Sequence, residues 1–157
     1  MPTPRWKFSA TVVSGKIYAI GGYNKGAFKT LSAKRFSTVE VYDPQTNEWT
    51  REAHMPTRRA VHAASVVDGR ICVIGRTDKN RELAVVEAYA PETDAWSRNV
   101  DLPTPKGNML SCTVNGKIYV IGGFGGKGNP DLLKPVEEYD SATDTWLLKT
   151  RVPTPRV

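Results

Sequence analysis

The sequence predicts an all-β protein of three four-stranded antiparallel sheets, because two landmarks recur three times in register and no stretch reads as a helix. The first is Ser14-Gly15-Lys16-Ile17-Tyr18-Ala19-Ile20-Gly21-Gly22, repeated as Asp68-Gly69-Arg70-Ile71-Cys72-Val73-Ile74-Gly75-Arg76 and as Asn115-Gly116-Lys117-Ile118-Tyr119-Val120-Ile121-Gly122-Gly123. The second is Val39-Glu40-Val41-Tyr42-Asp43 with Trp49, repeated around Tyr89 with Trp96 and around Tyr139 with Trp146. A proline-threonine pair follows each of these tryptophans, at Pro56-Thr57, Pro103-Thr104 and Pro153-Thr154, and Pro2-Thr3 begins the series.

Each unit reads as four strands in order. Alternating short residues such as Ala10, Val12 and Ser14, or Ala64 and Val66, suggest the first strand. The Ser-Gly, Asp-Gly and Asn-Gly pairs supply the positive φ of a tight hairpin. The Ile-Tyr-Ala-Ile run is a second strand apolar on both faces, and its terminal Gly-Gly suits a crowded place where bulky side chains collide. Valines 39, 41, 86 and 136 mark the third strand. The fourth opens at the tryptophan, after a turn of Asp, Pro, Thr and Asn.

A sheet with two apolar faces cannot cover both alone, so such sheets stack around a common axis as propeller blades. The double glycine, the third-strand tyrosine and the tryptophan after it make these units resemble kelch repeats over essentially the whole chain. The resemblance implies three four-stranded kelch blades, half of a β-propeller, with repeats at 1–54, 55–101 and 102–151 and a further inter-blade connector beginning at 152–157. In that reading Gly21, Gly22, Gly75, Gly122 and Gly123, with Tyr42, Tyr89, Tyr139, Trp49, Trp96 and Trp146, are structural. Arg76 stands in place of the second glycine, so the backbone there is expected to turn less tightly.

Propellers close with about four to eight blades. Three are half of one. Two arrangements supply the rest: a pair of chains forming a six-bladed ring, or further repeats in a longer chain. The segments Met1–Arg5 and Val152–Arg156 are the same connector, which suits either.

The propeller topology places the second-to-third-strand loops and the blade-to-blade connectors on one rim. The loops bring Lys25, Lys29, Lys34, Arg35, Arg76, Lys79, Arg81, Lys127 and Lys134, and the connectors bring Arg5, Lys7, Arg58, Arg59 and Lys106. The turns of the opposite rim hold Asp43, Glu48, Glu92, Asp94, Asp140 and Asp144 without a base. A basic rim suits an acidic protein or peptide, although wet loops are charged in any case. Kelch adaptors of ubiquitin ligases take acidic peptides with arginines and polar residues near the second-strand exit and early in the first strand. Here those places hold Tyr23, Thr77 and Phe124, and Lys7, Val61 and Asn108, which is not an arginine cluster. The candidate binding set is Lys7, Tyr23, Lys25, Lys29, Arg76, Asn108, Phe124 and Lys127, with Tyr23 and Phe124 as aromatic anchors or as loop packing. Because Arg5, Arg59 and Lys106 recur in register, they are expected to make a structural bond between blades.

These features point to a non-catalytic binding scaffold that needs no cofactor. The alternatives are a sugar-modifying enzyme of the kelch-fold sialic-acid epimerase type and a purely structural repeat. Only His54 and His62 are present, with no carboxylate or cysteine at ligand spacing, so no catalytic or metal site is expected. His62 is expected at the central channel. Cys72 and Cys112 read as small core residues rather than a disulfide framework. A net charge of +6 is too modest to indicate nucleic acid, and neither a membrane helix nor a signal sequence is evident, which favours the cytoplasm.

Overall fold

The computed structural model describes residues 1–24, 34–78, 81–125 and 135–153. The first sheet contains β1 (Ser9–Val13), β2 (Lys16–Ile20), β3 (Val39–Asp43) and β4 (Glu48–Glu52), hydrogen-bonded in that order. The second repeats it with β5 (Ala63–Val67), β6 (Arg70–Asp78), β7 (Arg81–Ala90) and β8 (Ala95–Asn99). A short β9 (Lys106–Gly107) precedes the third sheet, whose strands are β10 (Leu110–Val114), β11 (Lys117–Ile121), β13 (Pro135–Asp140) and β14 (Thr145–Arg151). Between β11 and β13, β12 (Phe124–Gly125) pairs with β9. All pairing is antiparallel, and the three sheets are successive blades of a half-propeller.

The hairpins close through two consecutive residues of positive φ, 48° and 76° at Ser14-Gly15, 50° and 70° at Asp68-Gly69, and 50° and 73° at Asn115-Gly116. That geometry matches the twist of the flanking strands. At Arg76 the chain does not turn off as it does at Gly22 and Gly123. Instead β6 runs on to Asp78 and pairs with a lengthened β7, in the register Arg76 to Leu83 and Asp78 to Arg81.

Each third-strand tyrosine lies opposite the fourth-strand tryptophan, with ring centroids 5.2, 5.1 and 4.9 Å apart at Tyr42–Trp49, Tyr89–Trp96 and Tyr139–Trp146. Between blades the core falls into two clusters. One joins Tyr18, Ile20 and Val41 of the first sheet to Ile71, Val73 and Tyr89 of the second; the other joins Cys72, Ile74 and Val86 to Ile118, Val120 and Tyr139. Neighbouring sheets touch through their first strands, which therefore line the axis.

The connectors are bolted in by charge. Arg5 pairs with Glu40 at 2.8 Å, Arg59 with Glu87 and Lys106 with Glu137, and these side chains are almost wholly buried. Each pair joins a connector to the third strand of the blade it enters, so the bond lies within a repeat rather than between blades. The reason is geometric. Where the second and third strands diverge, or in the second blade shift register at a bulge, carbonyls lose ladder partners, and buried carbonyls need donors. Arg5 Nη1 reaches Gly21 and Thr38, both at 3.0 Å, and Arg59 Nη1 reaches Val73 at 3.1 Å and Val85 at 3.2 Å. The preceding threonine completes the grip: Thr3 Oγ1 donates to Glu40 at 2.5 Å, Thr57 Oγ1 to Glu87 at 2.5 Å, and the Thr104 N–H to Glu137 at 3.1 Å. Burial pushes the Glu40 carboxyl up, but the Thr3 bonds and the Arg5 charge outweigh it and hold it below its ordinary value.

Removing one member of such a pair leaves the other charge buried. Arg59→Ala is expected to cost about 3–5 kcal/mol in urea unfolding, whereas the exposed Arg51→Ala should cost under about 1 kcal/mol. A loss at Arg59 no larger than at Arg51 would show that the pair is not what holds the connector.

Candidate functional site

The rim where second strands end is built by the connectors themselves. The Trp6 N–H donates to the Tyr23 carbonyl at 2.8 Å and the Tyr23 N–H returns to Trp6 at 3.0 Å. In the third blade the equivalent pairing is Gly107 with Phe124. Lys7, Val61 and Asn108 occupy equivalent positions and share left-handed backbone, with φ of 51°, 59° and 56°. Such a φ is strained for a β-branched valine, and it is held by a line of backbone bonds: the Val61 N–H donates to Lys7 at 3.0 Å and the Asn108 N–H to Val61 at 2.8 Å. Lys7 and Asn108 are thus brought to either side of one residue at the inner edge, with both side chains exposed.

Tyr23 is half-buried and Phe124 is 57% exposed, in different blades. The sequence reading passed over Trp6, which is 47% exposed beside Tyr23. Its signal was available, since it is the one tryptophan outside the repeating register. The backbone of Arg76 lies in β6. Lys25, Lys29 and Lys127 fall outside the described residues.

The charge of this rim is smaller than the sequence count. Arg5, Arg59 and Lys106 point inward, which leaves Lys7 and Arg58 as the exposed connector bases. On the opposite rim the four aspartates have structural partners. Asp43 and Asp140 each pair with a hairpin lysine at 3.2 Å, Lys16 and Lys117. Asp94 accepts the Tyr89 hydroxyl and the Ala53 N–H, both at 2.7 Å, while Asp144 accepts Tyr139 at 2.7 Å and the Val100 N–H at 3.0 Å. The indoles complete this clamp on the preceding blade: Trp96 donates to the Ala53 carbonyl at 2.9 Å and Trp146 to that of Val100 at 3.2 Å. The legible sign was an Asp or Asn two residues before each tryptophan.

Two expectations are corrected. His62 does not face the channel. It precedes β5 and is buried between blades, where a Cβ on Gly21 would lie 2.8 Å from its ring and 2.6 Å from the Arg59 carbonyl. Cys112 is exposed rather than core, since no other described sheet of the chain covers the face of β10 that carries it; Cys72, on the covered face of β6, is buried. Burial pushes the Cys72 thiol up to about 12. Among the described residues, no group of three or more His, Cys, Asp or Glu is placed to hold a metal ion, and no helix is long and apolar enough to cross a membrane.

A cleft of about 400 Å³ opens between the second and third blades, lined by Cys72, Ala88, Asn99, Tyr139 and Ser141 among others. At the preceding junction the position of Cys72 is taken by Tyr18, whose ring lies 6.2 Å from Tyr89. Cys72→Tyr is therefore expected to fill the cleft and raise stability by about 0.5–2 kcal/mol in thermal unfolding. A lower melting temperature would mean that the cleft is shaped differently from the first junction.

Burial, with the Arg59 charge, pushes the His62 imidazole down to about 3. Between the ordinary value of 6.5 and that figure the unfolded chain binds a proton that the folded chain refuses, so stability falls with pH by up to about 1.4 kcal/mol per unit. His62→Met, matching Met109 at the equivalent position, should flatten unfolding free energy between pH 6.5 and 4.5. An unchanged slope would place the sensitivity elsewhere.

A family model described as the KLHDC2/KLHL20/DRC7 Kelch-repeats domain matches residues 1–123, and one described as the Kelch motif matches residues 105–148. Beta-scruin of Limulus polyphemus is 36% identical over 85 residues, 51% of this chain and 9% of that protein. Kelch-like ECH-associated protein 1B of Danio rerio is 35% identical over 75 residues, 48% of this chain and 12% of that protein. The solved structure of YjhT superposes with a TM-score of 0.79 at 18% identity, covering 97% of this chain and 53% of that one. This chain thus spans a small part of those curated relatives and about half of the solved neighbour. It is a member of the kelch-repeat family.

Proposed function

We propose that the chain is a non-catalytic scaffold that binds an acidic protein or peptide segment through the rim of Lys7, Tyr23, Asn108 and Phe124, once further blades complete its ring. One observation carries the reading. Connectors and second-strand exits are hydrogen-bonded together, which sets the exposed Lys7 next to Trp6 and Tyr23 and the exposed Asn108 next to Phe124. An aromatic flanked by a cation suits a carboxylate-bearing segment, since the ring supplies contact area and the charge steers approach. The loop cations Lys25, Lys29, Arg76 and Lys127 belong to the same rim in this reading. Membership of a family whose matched relatives include a Kelch-like ECH-associated protein supports a scaffold role.

Changing Lys25, Lys29, Arg76 and Lys127 together to Glu is expected to abolish retention on an immobilised poly-glutamate peptide at moderate salt, with unfolding free energy preserved. Undiminished retention would leave the rim as solvated loop.

A further inference from the structure

A blade junction has two unlike sides, and the two internal junctions show what each requires. The leading side, facing the previous blade, presents Val66, Ile71, Tyr89 and Trp96 in the second sheet; their equivalents in the first are Val12, Ile17, Tyr42 and Trp49. The trailing side presents Val13 and Tyr18 in the first sheet, with equivalents Val114 and Tyr119 in the third. Inside the chain Ile71 and Ile118 are 0% exposed and Val67 is 3%, with Val66 and Trp96 partly buried against the same core. At the open sides Ile17 is 37% exposed, Val12 58%, Val114 49% and Leu110 77%.

The polar parts of the junction are laid out in the same way. Trp96 and Asp94 grip the carbonyl and N–H of Ala53, and Trp146 and Asp144 those of Val100. The next backbone in the series is Thr150. The first blade carries the matching grip, Trp49 with Asn47, whose Oδ1 accepts the Tyr42 hydroxyl at 2.8 Å. The line of axial bonds likewise runs from Lys7 through Val61 to Asn108, with Lys7 and Asn108 at its two ends.

Charge selects the occupant. Glu138 stands where the trailing sides of the first two blades have Val41 and Ala88, and it is held by Lys149 at 3.0 Å and Lys117 at 3.3 Å. Ala88 lines the same cleft as Tyr139, whose hydroxyl bonds Asp144, so Glu138 occupies the place that looks onto the next blade's turn residue. An aspartate there, as in the second and third blades, would set carboxylate against carboxylate. The first blade has the neutral Asn47, whose amide can donate to Glu138.

Resting on the reading that further blades complete the ring, we propose that a second copy of this chain supplies them: the trailing side of each third blade seats on the leading side of the other copy's first blade. Trp49 and Asn47 of each copy then grip Thr150 of the other. Two unlike sides on one chain close into a ring when the rotation permits. The overlay of 97% of this chain on 53% of YjhT gives three blades the curvature of half a ring. Two sets of three blades lie within the range of about four to eight at which propellers close.

The internal junctions also supply the test. Ser65 Oγ and Ser111 Oγ lie 2.7 Å apart across the second, and their equivalents at the proposed one are Cys112 and position 10 of the other copy. In Ala10→Cys, mild oxidation should convert most of the protein to a covalent dimer, reversed by reductant and absent from Ala10→Cys/Cys112→Ser. Within one chain these positions lie on opposite open sides and cannot meet. The unmodified protein should scatter light as twice 17.3 kDa. A mass of one chain without cross-linking, a ladder beyond the dimer, or a cross-link that survives Cys112→Ser each overturns the proposal. Retention on the poly-glutamate column, measured on the same samples, reports the rim separately: a monomer that is retained sinks the ring alone, and a dimer that is not retained sinks the rim alone.

Discussion

The buried base–glutamate pair at the root of each blade is the interaction on which the rest depends. In these blades the ladder between second and third strands is interrupted at one end, by the strands parting in the first and third blades and by a register shift in the second. Arg5 and Arg59 repair that end with a planar fork: one nitrogen serves the abandoned carbonyls and another the glutamate of the third strand. Lys106 is a single point charge, and the short β9–β12 pairing helps to close the same place, as the Trp6–Tyr23 pairing does in the first blade. Desolvating a charge is expensive, and an ion pair alone rarely recovers the cost. Here the alternative is a set of unsatisfied carbonyls in the core, so the pair is judged against that rather than against an apolar filling.

With the roots held, the faces determine assembly. The sheets are apolar on both sides, and each is covered only where a neighbour lies against it. The tyrosine–tryptophan pairs lie at the outer part of each face and convert blade stacking into directional bonds, since the indole and the turn carboxylate fix the previous blade's backbone at a carbonyl and an N–H. Stacking thus has a register and a direction. A blade can differ in filling, as Cys72 does from Tyr18, and still sit correctly, because the polar clamp sets position while the apolar contacts set strength.

The fold was legible because the landmarks that identify a repeat are also those that build a blade: Gly at a turn of positive φ, apolar runs in the second strand, Tyr opposite Trp. The bases at 5, 59 and 106 were visible as a recurring set, but their partners were not. Glu40, Glu87 and Glu137 sit inside the second landmark, where an alternating strand would put a solvated residue, and only the connector's return beneath the sheet buries them. Cys112 was misplaced for a different reason. A strand's pattern records that a face is apolar without recording whether anything lies on it, so the open side of the last blade reads like a covered one. His62 shows the same limit, for its ring packs beside Gly21 of the preceding blade, a contact that no local pattern announces.

The bases in this chain lie in two separate settings, and the separation bears on how the proposed rim can vary. The connector bases in register with the repeat, Arg5, Arg59 and Lys106, are inside and paired, and exchange of any of them for a neutral residue leaves a buried carboxylate without its counter-charge. Those out of register, Lys7 and Arg58 in the connectors, are outside and set on backbone whose shape is maintained by main-chain bonds. The left-handed turn at Lys7, Val61 and Asn108 holds with three different side chains, so the position accepts lysine, valine or asparagine at the inner edge without altering the blade. In the proposed reading these places can vary the surface offered to a partner, while the buried bases a few residues away cannot be changed in the same way.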